Sequence, residues 1–307
     1  MRLACWLRCH AATNFFREFS LTDSSIFVAK FANAWRRSPA RHRRALPRNV
    51  APRLMSTATF KIWRGGANGG DFRDYTAEVA EGMVVLDAVH DIQRTQAPDL
   101  ACRWNCKAGK CGSCSAEVNG MPKLMCMTRL SELPLEKPVT IEPIKAFPVV
   151  KDLVTDVSWN FRVKKKIKPF KPRPPDAPDG TWRMQQEDID RVQEFRKCIE
   201  CFLCQDVCHV LRDHQMHDKF IGPRFLIHVA ALEMHPLDTE NRIDELRNTQ
   251  GIGYCNITKC CTKVCPESIQ ITDNGIIPLK ERVVDEFYDP FGWIWRWLKR
   301  KREPLNR

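Results

Sequence analysis

The 307-residue sequence lacks any apolar stretch that approaches the eighteen or so residues needed for a membrane-spanning helix. The nearest candidate is the aromatic segment from Phe291 to Leu298, which is short and is followed by a run of basic residues. Aromatic side chains beside a basic run are typical of a segment that lies at a membrane surface. The alternative for residues 291–307 is a terminal helix that docks its tryptophans on a partner subunit.

Acidic residues are scarce in the first 54 positions, where Glu18 and Asp23 stand against 11 Lys or Arg. The rest of the chain carries 38 basic and 35 acidic residues, so the net charge of +12 does not indicate a nucleic-acid-binding body. We expect residues 1–55 to form a disordered basic extension. It is either a mitochondrial-type transit segment or the product of a start codon assigned too early, with Met55 as the true first residue.

The chain also lacks a convincing signal peptide, which argues against a disulfide framework for its 15 cysteines. Their spacing indicates iron–sulfur ligands instead. Cys106-x4-Cys111-x2-Cys114, with Cys126 further along, is the plant-type [2Fe–2S] signature. Structural zinc also uses C-x2-C pairs, but it would not explain this loop or the four-cysteine run that follows.

Two later cysteine runs follow the bacterial two-cluster pattern, in which the last cysteine of each run serves the cluster of the other run. The ligands predicted for a [4Fe–4S] cluster are Cys198, Cys201, Cys204 and Cys265. The thiolates left for the other cluster are Cys208, Cys255 and Cys261. Thr258 occupies the remaining ligand position and is a poor iron ligand, so we predict a [3Fe–4S] cluster there.

Two cysteines near these groups remain outside the ligand pattern. Cys260 lies beside Cys261 and could compete with it as a ligand, although the spacing favours Cys261. Cys102 matches no ligand position, and we expect it to be a small, buried or half-exposed thiol.

The pattern of strands, helices and linkers predicts an α+β fold with two metal-binding domains. Residues 56–150 combine strands, one helix and a hairpin at Asn119–Gly120, which predicts a plant-type ferredoxin (β-grasp) domain. Residues 151–182 are rich in lysine and proline and are expected to form a linker. Residues 183–290 have a helical pattern interrupted by cysteine loops, which predicts an all-α helical ferredoxin domain.

The loop from Arg103 to Cys114, joined to the paired cysteine runs, resembles the iron–sulfur subunit of succinate dehydrogenase or fumarate reductase (respiratory complex II). The resemblance covers roughly residues 56–290. It implies a flavoprotein partner with covalent FAD, one or more membrane anchor subunits, and a quinone. This chain would relay single electrons through three clusters and would do no acid–base chemistry on the dicarboxylate.

The resemblance also implies a peripheral position on the cytoplasmic face of a bacterial inner membrane, or on the matrix side of the mitochondrial inner membrane. His209 stands where the family usually has proline, and Asn256 replaces a frequent histidine, so we expect the quinone pocket to differ. The alternative function is the iron–sulfur subunit of another flavin-linked dehydrogenase. Such subunits typically carry paired cubane motifs, and the plant-type loop argues against this alternative.

Overall fold

The computed structural model describes residues 54–290 and Gly292. The predicted basic extension lies outside the described residues except at its last two positions. The predicted terminal segment 291–307 lies outside them except at Gly292.

Within the described residues, the N-terminal half forms a seven-stranded mixed sheet. Its strands are β1 (Leu54–Gly66), β2 (Gly69–Ala80), β3 (Ser115–Val118), β4 (Met121–Leu124), β5 (Val139–Glu142), β6 (Val149–Lys151) and β7 (Val154–Thr155). β1 pairs antiparallel with β2 and parallel with β5, so it lies at the centre of the sheet. β5 also pairs with β3, so β5 lies between β1 and the β3–β4 hairpin.

The predicted hairpin turn is confirmed. Asn119 and Gly120 connect β3 to β4 with φ values of 50° and 73°. Two consecutive positive φ angles match the right-handed twist of the strands, and an Asn-Gly pair adopts them at low cost. The hairpin thereby returns the chain toward the loop that precedes β3.

One amphipathic helix, α1 (Val85–Thr95), covers the sheet and buries an apolar face, as its sequence period predicts. Phe60 and Ile62 of β1 are fully buried beneath it together with Val89 and Ile92. Burial of each of these side chains stabilises the folded state by roughly 1.5–3 kcal/mol. This core fixes the two ends of the segment that carries the first cysteine loop.

The C-terminal half is helical, as predicted. Its helices, together with one that precedes them, are α2 (Ser158–Lys166), α3 (Gln186–Gln193), α4 (Leu203–Asp206), α5 (His209–Arg212), α6 (Pro223–Glu233), α7 (Ile243–Asn248), α8 (Cys260–Lys263) and α9 (Ile277–Phe287). Helix α6 begins after Gly222, whose φ is 79°, with Pro223 in its first turn. Strand β7 and helix α2 both lie within the stretch 151–182.

A buried ion pair joins the sheet to the helical region. Glu117 of β3 is completely buried, and its carboxylate lies 2.6 Å from Nη1 of Arg212 and 3.1 Å from Nζ of Lys145. Because both cations stay partly exposed, their desolvation cost is smaller than that of a fully buried pair. Removing Glu117 would leave two like charges facing each other at this junction.

None of the helices in the part of the chain that the structure describes is long and apolar enough to cross a membrane.

Candidate iron–sulfur ligand sites

The first cysteine loop lies between α1 and β3, and its backbone turns around the thiol groups. Lys107, Gly109 and Gly112 have φ values of 52°, 65° and 68°. In this conformation the amides of Ala108 and Lys110 donate to Cys106 Sγ at 3.4 and 3.3 Å. Amide donors directed at a thiolate stabilise its negative charge.

The remaining thiols of the first group are Cys111 and Cys114 in the same loop and Cys126 just after β4. The amide of Ser113 donates to Cys111 Sγ at 3.5 Å. Burial would raise the pKa of Cys111, but hydrogen bonds from Ser113 and from the backbone outweigh it and lower this pKa to about 7. Burial raises the pKa of Cys114 to about 12. The structure therefore brings the four predicted [2Fe–2S] ligands together.

A second group of thiols surrounds a small cavity of about 20 Å³. The cysteines that line it are Cys198, Cys201, Cys204 and Cys265. These are the four residues predicted to share a [4Fe–4S] cluster. The apolar residues that line this cavity are Ile199, Phe202, Ile227, Ile269 and Ile271.

A third group lines a separate small cavity of about 20 Å³. Its cysteines are Cys208, Cys255, Cys260 and Cys261. The structure thus brings together the three predicted [3Fe–4S] ligands, with Cys260 beside them. Thr258 also lines this cavity.

The two cysteine runs share one backbone conformation. The non-glycine residues with positive φ are Glu200 (56°) and Phe202 (63°) in the second run and Ile257 (62°) and Lys259 (61°) in the third. Each pair flanks the second ligand position, which is Cys201 in one run and Thr258 in the other. The second member of each pair precedes a short helix, α4 or α8. The repeated geometry gives Thr258 the place that Cys201 has in the second run.

The same register assigns a counterpart to each of the adjacent cysteines. Cys261 corresponds to Cys204, and both are buried, whereas Cys260 corresponds to Leu203. Cys260 is half-buried, and its Sγ lies 3.2 Å from Thr258 Oγ1. Sequence spacing and backbone conformation therefore favour Cys261 as the third thiol of its run.

The first loop touches both later runs. A Cβ atom added at Gly112 would lie 2.5 Å from Cys201 Cα, so the two backbones meet at van der Waals distance only because position 112 is glycine. Lys110 Nζ also forms an ion pair with Glu267 Oε1 at 2.8 Å. The loop of the first thiol group is thereby in contact with the run that carries the second group.

The chemistry of these residues fits clusters of iron and sulfide. All thirteen cysteines within residues 54–290 are free thiols. Burial raises the pKa of Cys201 to about 12 and of Cys208 to about 11, so a bound cation is needed to hold them as thiolates at neutral pH. Among the described residues, no three His, Cys, Asp or Glu side chains are placed to share a single metal ion. The thiols of the second and third groups instead line shared cavities in sets of four, and thiolates grouped in this way are the ligands that iron–sulfur clusters use.

Arg224 is a residue of the second cavity that the sequence did not indicate. It lines the cavity from the first turn of α6 and is 5% exposed. A single arginine in an otherwise apolar helix carries no metal-site signal, so only the fold could reveal it. Cys102 is half-buried, as expected, and burial raises its pKa to about 12.

Two family models match the chain. The 2Fe-2S iron-sulfur cluster binding domain matches residues 59–162, and the 4Fe-4S dicluster domain matches residues 194–269. The first match contains the first cysteine group, and the second contains both later runs.

Curated relatives and one solved structure are similar over most of their own length. The chain is 32% identical over 205 residues to the fumarate reductase iron-sulfur subunit of Mycobacterium tuberculosis, covering 64% of this chain and 80% of that protein. It is 29% identical over 206 residues to the succinate dehydrogenase iron-sulfur subunit of Paracoccus denitrificans, covering 66% and 78%. A chain of the Mycobacterium smegmatis Sdh1 complex in the apo form is 60% identical, with a TM-score of 0.73, over 76% of this chain and 98% of that one.

Proposed function

We propose, because the chain belongs to the family of iron–sulfur subunits of succinate dehydrogenases and fumarate reductases, that it relays single electrons between a flavoprotein subunit and a membrane quinone. The observation that carries this function is the direct contact between the first cysteine loop and the second run at Gly112 and Cys201. The dicarboxylate chemistry belongs to the FAD of the flavoprotein partner, and membrane anchor subunits complete the complex.

The iron–sulfur clusters, when bound, would supply one-electron redox chemistry and so divide a two-electron flavin reaction into single steps. The chain's own residues hold the ligand thiols at fixed spacings and direct backbone amides at them. They also bury Cys201, Cys204, Cys208 and Cys261 of the second and third groups. Cys106 is exposed, so the first group lies where a partner protein can approach it.

The finer structural assignments follow from the same arrangement. We assign the sheet with its helix and cysteine loop to the plant-type ferredoxin (β-grasp) class, because β1 and β5 are parallel neighbours crossed by α1. The helical half, with its repeated cysteine runs, fits a helical ferredoxin domain. The divisions at residues 56–150, 151–182 and 183–290 remain our proposal for the domain limits.

The ligand assignment is Cys106, Cys111, Cys114 and Cys126 for [2Fe–2S], Cys198, Cys201, Cys204 and Cys265 for [4Fe–4S], and Cys208, Cys255 and Cys261 for [3Fe–4S]. Support for the third set comes from the backbone repeat, in which Thr258 corresponds to Cys201 of the second run. A threonine at that position leaves three thiolates, which is the number expected for a cluster that lacks one iron.

A peripheral position on the membrane follows from this role, through partner subunits. We place the chain on the cytoplasmic face of a bacterial inner membrane, with the matrix side of the mitochondrial inner membrane as the alternative.

The test is low-temperature EPR of the complex purified through this chain, both as isolated and after reduction with dithionite. The expected result is an oxidised [3Fe–4S] signal before reduction and a [2Fe–2S] signal after it, together with a co-purifying flavoprotein that oxidises succinate. Fewer than two kinds of cluster would overturn the proposal. A flavoprotein partner without succinate activity would favour another dehydrogenase.

The two adjacent cysteines give a matched pair of variants for the third ligand set. Cys261→Ser is expected to abolish the [3Fe–4S] signal, whereas Cys260→Ser should retain it. The opposite result would transfer the ligand role to Cys260.

A further inference from the structure

Arg224 is a buried cation in the wall of the second cavity. Its side chain is 6% exposed and lines the same space as Cys198, Cys201, Cys204 and Cys265. Burying a guanidinium is costly unless each of its donors finds an acceptor. The hydrogen-bond partners of this guanidinium, and any donor left without one, therefore indicate which kind of group the cavity binds.

One part of the guanidinium is firmly paired. Arg224 Nη2 donates to Glu200 Oε1 at 2.6 Å, and Lys164 Nζ lies 2.5 Å from the same oxygen. Glu200 stands between Cys198 and Cys201, so the ion pair fixes the guanidinium against the second cysteine run. Two cations share one carboxylate, which leaves a net positive charge beside the thiols.

The other part of the guanidinium is unpaired within the described residues. Arg224 Nε is fully buried and has no hydrogen-bond partner there. Leaving such a donor unsatisfied costs about 1–3 kcal/mol, and more when the group is charged. Arg224 lines the cavity of the four thiols, so a group bound in that cavity is the candidate acceptor for Nε.

We infer that Arg224 Nε donates a hydrogen bond to a thiolate or sulfide sulfur of the group held by these four cysteines and thereby raises its reduction potential. The inference rests on the proposed function. Reduction adds one electron to that group, and a hydrogen bond and a positive charge both stabilise the more negative reduced form. Arginine keeps its proton throughout, so no proton accompanies the electron at this residue.

The test is a potentiometric EPR titration of the [4Fe–4S] centre in the purified complex. In Arg224→Met the one-electron equilibrium constant for reduction is expected to fall at least tenfold, which corresponds to a potential about 59 mV lower. Arg224→Lys keeps the charge without the Nε donor, and its potential should lie between those of Arg224→Met and wild type. The [2Fe–2S] and [3Fe–4S] potentials measured in the same samples should stay at their wild-type values.

Arg196→Gln is the matched control. Arg196 lies two residues before Cys198 but is exposed, so its removal changes the net charge equally where water screens the effect. Equal shifts in the two variants, or an unchanged potential in Arg224→Met with full cluster occupancy, would overturn the inference.

If the variants fail to assemble, a measurement on wild-type complex tests the hydrogen bond from Arg224 directly. Protein labelled with guanidino-15N arginine should show 15N hyperfine coupling to the reduced [4Fe–4S] centre, and absence of that coupling would refute the hydrogen bond. Should wild-type complex lack a [4Fe–4S] signal altogether, the ligand assignment fails and this inference fails with it. A normal signal without coupling leaves the proposed function intact.

Discussion

Gly112→Ala should disturb two cluster sites at once, because this glycine separates their backbones. An added Cβ would lie 2.5 Å from Cys201 Cα and 2.9 Å from Cys201 Cβ. Carbon atoms prefer about 3.5–4.0 Å, so one backbone must retreat by roughly 1 Å. Overpacking of this kind typically costs about 1–3 kcal/mol. The left-handed φ of 68° adds about 1–2 kcal/mol for any residue with a side chain.

Two other glycines separate these contributions. Gly120 has a φ of 73° with nothing within 4 Å of an added Cβ, so Gly120→Ala carries the conformational cost alone. Gly109 has a φ of 65°, and its added Cβ would meet only the side chain of Met127, which is 57% exposed and can move. We expect the free energy of unfolding to fall by about 1–2 kcal/mol in both variants. In Gly112→Ala it should fall further, by the cost of overpacking.

The assay is the temperature at which the purified complex loses its visible cluster absorbance under argon, together with EPR of the reduced sample. Gly112→Ala should lose absorbance at a temperature about 2–10 °C below the two control variants. Its [2Fe–2S] and [4Fe–4S] line shapes should both change, since one displacement moves both loops. If the three alanine variants behaved alike, the close approach of the first loop to Cys201 would be refuted.

Three further outcomes are expected from single substitutions. Thr258→Cys should supply a fourth thiolate and convert the [3Fe–4S] centre to [4Fe–4S], seen as one additional iron per chain and loss of the oxidised EPR signal. Burial and the charges of Arg224 and Lys164 lower the pKa of His228 to about 4, below the unfolded value of 6.5. The folded state therefore binds this proton less readily, and wild type should lose about 2 kcal/mol more stability than His228→Gln between pH 7 and pH 5. Asp152→Asn should destabilise the sheet domain by about 2–4 kcal/mol in denaturant unfolding, because the carboxylate accepts from Arg64 Nε at 3.0 Å, Gly65 N at 3.1 Å and Ala101 N at 2.8 Å.

Each of these outcomes has a control or a contradicting result. Thr258→Val should leave the [3Fe–4S] signal in place, and an unchanged iron content in Thr258→Cys would show that position 258 does not face the cluster. If the free energy of unfolding fell equally between pH 7 and pH 5 in wild type and His228→Gln, the lowered pKa of His228 would be contradicted. Asn tolerates the φ of 49° at position 152, so the third substitution tests the carboxylate rather than the backbone. An unchanged free energy of unfolding in Asp152→Asn would contradict the role of the carboxylate.

The sequence predicted those features that depend on neighbours along the chain. The Asn119–Gly120 turn followed from the positive φ angles that a tight hairpin needs, and α1 followed from its apolar period. The grouping of the cysteines into ligand sets could be predicted because a short loop around a cluster allows only a few spacings between ligands. Even the crossing of the two runs could be predicted, since it repeats a local pattern twice.

The tertiary structure decided what depends on approach between distant segments. No pattern in the sequence shows that Gly112 meets Cys201 or that Glu117 is buried against Arg212, because each contact joins elements separated by many residues. The same is true of Arg224, which reads as one charge in an apolar helix. Only the packing of α6 against the second cysteine run turns it into a buried cation in the wall of the cavity that four thiols line.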